Sequence, residues 1–173
     1  LAQDGQLAVL GTGDPLMEQA FGHASLAHPG RVAFFGGYDE SLAHLFQAGG
    51  DVILIPSRFE PCGLTQLCAL RYGTLPLVSR VGGLADTVID ANPAALAAGV
   101  ATGFTFAPVT TPDLTQAIQQ LGVIWRDQPA WRVMQRNAMR SPVGWEVAAG
   151  RYLDLYQDLL GISPPAGRDP NLD

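Results

Sequence analysis

The sequence predicts an α/β domain in which helices cover both faces of a parallel sheet. Two observations carry this. Apolar runs of strand length recur at 6–11, 31–36, 51–56, 74–80 and 103–107, each separated from the next by a stretch that reads as helix or turn. That alternation is the signature of repeated right-handed β-α-β crossovers. The run Val52-Ile53-Leu54-Ile55 is apolar at every position and lies between a Gly pair with Asp51 and Pro56, as expected of a parallel strand buried on both sides.

Taken in order, the first strand is followed by a helix over 15–27, the second by a helix over 41–47 and the third by a helix over 64–72. In this last helix Leu64, Leu67, Cys68 and Arg71 recur at helical spacing, and Gly73 suits the left-handed position after the last turn. The fourth run leads into Gly82-Gly83, a second strand-to-helix joint whose glycines serve either a ligand or close helix packing. Thr111-Pro112-Asp113 supplies a cap, a first-turn proline and a first-turn acid for a helix with Leu114, Ala117, Ile118, Leu121 and Trp125 on one apolar face. Further helices are expected over 130–139 and over 145–160. After Gly161, Ser-Pro-Pro-Ala-Gly-Arg-Asp-Pro is a composition that builds no core. The expected organisation is one domain over 1–161 and a flexible tail over 162–173.

Composition narrows the function. The 173 residues are 47% hydrophobic, enough for a covered core. All 10 basic residues are arginine and stand against 16 acidic ones, and a net charge of −6 argues against a nucleic-acid partner. Apolar runs are strand-sized, so no membrane span is expected. Two cysteines, Cys62 and Cys68, without a signal-peptide pattern suggest reduced thiols and a cytoplasmic protein. His23, His28 and His44 show no metal-ligand spacing, and no metal or cofactor is expected. His44 reads as a structural histidine on its helix.

The segment Pro56-Ser57-Arg58-Phe59-Glu60-Pro61-Cys62-Gly63-Leu64-Thr65 is the richest in chemistry. It sets one carboxylate and a tight turn between a buried strand and a helix start, at the sheet edge where open α/β folds bind ligands. Glu60 there either accepts sugar hydroxyls through charge-assisted hydrogen bonds or caps the following helix. Gly63, Leu64 and Thr65 either offer backbone N–H groups to a phosphate or form an ordinary turn. Cys62 is either a small polarisable wall or a buried thiol, and Tyr38 either a stacking ring or core. Arg58 falls on the same side as Glu60 if the segment is extended. Gly11-Thr12-Gly13-Asp14-Pro15 lacks the third glycine of a dinucleotide fingerprint and reads as a turn.

These residues, with Tyr72-Gly73-Thr74-Leu75-Pro76-Leu77-Val78, Gly82-Gly83-Leu84-Ala85-Asp86-Thr87-Val88, Gly11-Thr12-Gly13-Asp14-Pro15, Gly37-Tyr38 and Trp145-Glu146-Val147-Ala148, resemble bacterial glycogen synthase and plant starch synthase. The resemblance covers nearly all residues before the proline-rich tail. It implies a Rossmann-like domain, the C-terminal half of a GT-B glycosyltransferase that transfers glucose from ADP-glucose to the non-reducing end of an α-1,4-glucan with retention. It further implies that Glu60 is the catalytic-site carboxylate beside the donor glucose and that Tyr38, Cys62, Gly63, Leu64 and Thr65 bind the donor, with Tyr38 stacked on adenine.

The family's Lys-Thr-Gly-Gly-Leu loop and the Arg and Lys that open this half have no counterpart here; the chain contains no lysine. The resemblance implies that this Arg and Lys stabilise the leaving diphosphate, so the chain alone is expected to be inactive. The strand expected to precede them would lie in the middle of the sheet, so either the sheet closes without it or another molecule fills the gap. The glucan would be met through the N-terminal domain. The last helix, which in such enzymes packs on that domain, would present Trp145, Tyr152 and Tyr156 for self-association, as would an open sheet edge. The alternative reading is a stand-alone Rossmann-like nucleotide-binding or assembly module without catalysis.

Overall fold

The computed structural model describes residues 5–162; of the tail expected over 162–173, residues 163–173 lie outside them. The chain divides into two units, Leu1–Ser141 and Pro142–Asp173.

In the first unit the order is β1 (Leu7–Gly11), α1 (Pro15–Ala27), β2 (Val32–Gly36), α2 (Glu40–Gly49), β3 (Val52–Ile55), α3 (Thr65–Tyr72), β4 (Leu75–Ser79), α4 (Gly82–Thr87), α5 (Pro93–Ala98), β5 (Phe104–Phe106), α6 (Thr111–Arg126) and α7 (Gln128–Arg140). Every strand pairing is parallel. All five strand runs therefore formed where alternation placed them, with ends trimmed by one or two residues. α5 is an addition that the sequence reading did not include.

The strands form two hydrogen-bonded sets, β1-β2 and β3-β4-β5, with no ladder joining them among the described residues. Of the two outcomes expected for the sheet, closure does not occur. The sets also differ in burial. All five residues of β4 are buried, as are Phe104 and Phe106 of β5, whereas α1 and α2 contain no buried residue and β2 buries only Val32.

The core consequently sits around β4. Leu75, Leu77 and Val78 are fully buried with Ala69 and Leu70 of α3, Leu84 of α4, and Met134 and Ala138 of α7. α7 packs on α3, α6 and β4, and its Trp131 ring lies 6.1 Å from that of Phe104. β4 tolerates Pro76 because its ladder to β5 begins only at Leu77, so the missing N–H interrupts no bond on that side. Burying Leu77 alone is worth about 2 kcal/mol. In α6 the residues that reach the core are Ala117 and Ile124, while Trp125 is exposed. The face expected from Leu114 to Trp125 is thus rotated by one position at its end.

Around β1 and β2, aromatic pairs do the packing: Phe21 of α1 stacks on Phe34 at 5.9 Å, and Phe46 of α2 meets Phe35 edge-on at 5.7 Å. α2 also packs on α3, where His44 Nδ1 and Tyr72 Oη are 3.1 Å apart; His44 is a structural tie, as expected. The second unit contains α8 (Trp145–Leu160), ended by Gly161 at φ 65°. Trp145, Tyr152 and Tyr156 of α8 are exposed.

Candidate functional site

The helix ends of the first unit fall into two classes. Five are closed by their own N-cap side chains: Asp14 for α1, Asp39 for α2, Asn92 for α5, Thr110 for α6 and Asp127 for α7 each accept from a first-turn N–H. At α1 the closure is double, because Asp14 Oδ1 accepts from Leu16 N at 2.8 Å while Glu18 Oε1 accepts from Gly13 N at 2.8 Å. Gly11 to Pro15 is therefore a capped turn, as read.

α3 and α4 are different. Their N-cap residues are Leu64 and Val81, and no side chain caps either end. These two helices follow β3 and β4, neighbours in the sheet, so both uncapped starts face the same carboxyl edge. A helix start that keeps its N–H groups free of side-chain acceptors can receive an anion.

The turns leading into them are pressed together. Gly82 has φ +44°, and a Cβ there would lie 3.0 Å from the Glu60 carbonyl carbon; a Cβ on Gly83 would lie 2.7 Å from Cys62 Cα and 2.8 Å from its carbonyl carbon. Backbone meets backbone at both positions, which resolves the two readings of Gly82-Gly83 toward close packing of one turn on the other. Gly63 takes φ +72°. The stem of the first turn is held from below by buried Ser79, whose Oγ donates to the Ser57 carbonyl. Gln66, in the first turn of α3, is completely buried; its Nε2 donates to the carbonyls of Cys62 and Gly63 at 3.0 and 2.9 Å.

Glu60 is half-buried, and its Oε2 accepts a long hydrogen bond from Ser57 Oγ at 3.5 Å. It does not cap α3, so the capping reading is excluded. Arg58 is exposed, unlike Glu60. Cys62 is exposed with Sγ 3.7 Å from the Gly63 carbonyl, so it is not a buried thiol. Leu64 and Thr65 are exposed at the helix start. Tyr38, just after β2, is 86% exposed, so it belongs to no core. The structure thus gathers Glu60, Cys62, Gly63, Leu64 and Thr65 in one turn, while Tyr38 stands after a strand of the other set.

Ser79, Gln66 and Thr87, whose Oγ1 donates to the Gly83 carbonyl at 2.6 Å, are the site's supporting residues that the sequence reading missed. Among the described residues no group of three or more His, Cys, Asp or Glu side chains could hold a metal ion, and no helix is long and apolar enough to cross a membrane.

Residues 2–132 match the family described as Glycosyl transferases group 1. The chain is 53% identical over 165 residues to glycogen synthase of Rhodopseudomonas palustris (strain BisA53), covering 95% of this chain and 34% of that protein. It is 55% identical over 160 residues to glycogen synthase of Cereibacter sphaeroides (strain ATCC 17023), covering 92% of this chain and 34% of that one. The chain therefore spans about a third of the length of these relatives. Among solved structures, the catalytic domain of Arabidopsis thaliana starch synthase IV bound to ADP and acarbose superposes with a TM-score of 0.79 at 28% identity, over 92% of this chain and 33% of that one. Sucrose-phosphate synthase from Thermosynechococcus elongatus follows at a TM-score of 0.66 and 29% identity, over 92% and 39%. With its parallel α/β architecture, the chain belongs to the group 1 glycosyl transferases and, within them, is similar to the glycogen synthases over about a third of their length.

Proposed function

We propose that this chain is the donor-binding part of a glucosyltransferase that moves glucose from ADP-glucose to the non-reducing end of an α-1,4-glucan with retention. The observation that carries the reading is the uncapped start of α3 beside Glu60, in a unit whose other long helices are all side-chain capped. The ADP bound to the similar starch synthase IV supports the choice of nucleotide.

In this reading the N–H groups of Gly63, Leu64 and Thr65 receive the diphosphate, where fixed dipoles stabilise the charge that grows as the glycosyl–phosphate bond breaks. The Thr65 hydroxyl adds a donor. Glu60 accepts hydroxyls of the donor glucose and fixes its orientation, a positioning and electrostatic role rather than nucleophilic attack. Cys62 walls the sugar and Tyr38 stacks on adenine. The step needs no metal from these residues. Acceptor binding and further cationic stabilisation of the leaving group come from the partner domain, so the isolated chain turns over no substrate. Two free thiols are consistent with a reducing, cytoplasmic setting.

Calorimetric titration of the purified chain tests this. ADP is expected to bind saturably and better than UDP, Thr65→Ala to weaken both ADP and ADP-glucose about threefold to tenfold, and Glu60→Ala to weaken ADP-glucose alone. A cooperatively folded chain that gives no heat with either nucleotide contradicts the proposal and favours a non-catalytic module.

A further inference from the structure

The two turns at the sheet edge are joined by one side chain. Gln66 Nε2 donates to the Cys62 and Gly63 carbonyls and, at 3.3 Å, to Thr87 Oγ1, while Thr87 Oγ1 donates to the Gly83 carbonyl at 2.6 Å. The threonine has one hydroxyl hydrogen and gives it to Gly83, so toward Gln66 it can only accept. This fixes the amide orientation: a flipped amide would press its oxygen against three acceptors. A continuous chain therefore runs from the turn before α3, through Gln66 and Thr87, to the turn before α4.

Gln66 Oε1 is buried with no hydrogen-bond partner. An apolar side chain of similar shape would fill this space without an unpaired carbonyl of its own, at the cost of the donors to the Cys62 and Gly63 carbonyls. The amide's role thus lies in its two N–H groups, spread over three acceptors. It also dictates the residue beside it, since a Cβ on Gly63 would sit 2.9 Å from Gln66 Cδ and Nε2.

We propose that Gln66 is a positioning residue that locks the Cys62–Gly63 turn to the Gly82–Gly83 turn, so that the two hold or open as one unit beside Glu60. Its consequence for donor binding rests on the function proposed above; the coupling of the turns does not. The turns touch carbonyl to glycine, so contact alone resists only approach. The hydrogen-bonded chain resists separation as well.

Hydrogen exchange of the whole 173-residue chain, read by mass spectrometry on peptides covering 60–68, 82–87 and 75–79, tests the coupling. In the first the reporter is the Cys68 N–H that donates to the Leu64 carbonyl at 2.9 Å, and in the second the Leu84 N–H that donates to the Val81 carbonyl at 3.1 Å. Gln66→Met, which keeps the volume and removes the donors, is expected to speed exchange about tenfold in the first two segments together, with β4 still protected. Thr87→Val, which removes the hydroxyl and with it the hydrogen bonds to Gln66 and to the Gly83 carbonyl, is expected to open the same two segments, and Thr87→Ser, which restores the hydroxyl, to return both to wild-type rates. Faster exchange in only one segment, no change, or loss of protection spreading into β4 with both Gln66→Met and Thr87→Val would overturn the proposal. If Gln66→Met does not fold, Thr87→Val decides alone by the same criteria. ADP is expected to slow both segments in the wild type. Coupled opening without any ADP effect would leave the lock standing and refute the donor reading of this chain.

Discussion

Replacing Gly83 with alanine probes the contact between the two turns most sharply. The new Cβ would lie 2.7 Å from Cys62 Cα and 2.8 Å from the Cys62 carbonyl carbon, and neither atom can swing aside as a side chain would. Relief requires the whole Cys62 turn to shift, and that turn is tied by Gln66 and, further back, by Ser79. Overpacking of this kind costs at the upper end of about 1–3 kcal/mol. Alanine recovers up to about 1 kcal/mol in helix propensity, less in a first turn. The net loss is about 2 kcal/mol, which in a chain of this size lowers Tm by about 4–8 °C. Gly22 in α1 is the control, because a Cβ there meets nothing within 4 Å. Gly22→Ala is expected to raise stability by about 0.5–1 kcal/mol. Thermal melts followed by circular dichroism compare the two. A Gly83→Ala protein that melts at or above the wild-type temperature would refute the packed-turn argument.

Other perturbations separate the remaining contributions. Leu77→Ala empties the centre of β4, where Leu77 is wholly buried, and is expected to cost about 2–5 kcal/mol in urea denaturation. Asn137 Nδ2 donates to the carbonyls of Gly99 and Ala101 at 2.7 and 3.1 Å; Asn137→Ala strands both and is expected to lower the urea midpoint by an amount equivalent to about 1–3 kcal/mol. Asp14→Ala removes the α1 cap, with an expected loss of about 1 kcal/mol and faster exchange at the Leu16 and Met17 amides.

What the sequence disclosed follows from how each signal arises. Strand positions were legible from uninterrupted apolar runs, but the burial expected on both faces holds for β4 and not for β3, where Leu54 is exposed and Val52, Ile53 and Ile55 are only partly covered. Helix starts were legible where capping residues mark them, as with Thr111-Pro112-Asp113, although the capping side chain is that of Thr110, one residue before the Thr111 expected. α5 escaped because four of its six residues are alanine, which marks no apolar stripe; only Asn92 and Pro93 announce it.

The separation of β1-β2 from β3-β4-β5 could be posed but not decided from the sequence, since strand pairing is set by contacts distant along the chain. Glu60 and its neighbours were found because a carboxylate and two turn-formers between strand and helix are unusual. Gln66, Thr87 and Ser79 were not. A glutamine in a first helical turn ordinarily faces water, and nothing local signals that this one is buried against two carbonyls. Nor could local patterning show that Gly82 and Gly83 abut Glu60 and Cys62, some twenty residues earlier in the chain.

The central claim is that the uncapped start of α3 is the seat of the nucleotide's diphosphate. Amide shifts of the isotope-labelled chain during ADP titration test it directly. The largest saturable shifts are expected at Gly63, Leu64 and Thr65, with little change at Leu16 and Met17, whose N–H groups Asp14 already occupies. Equal shifts at both helix starts, or saturable shifts that leave Gly63 to Thr65 unmoved, would contradict the account.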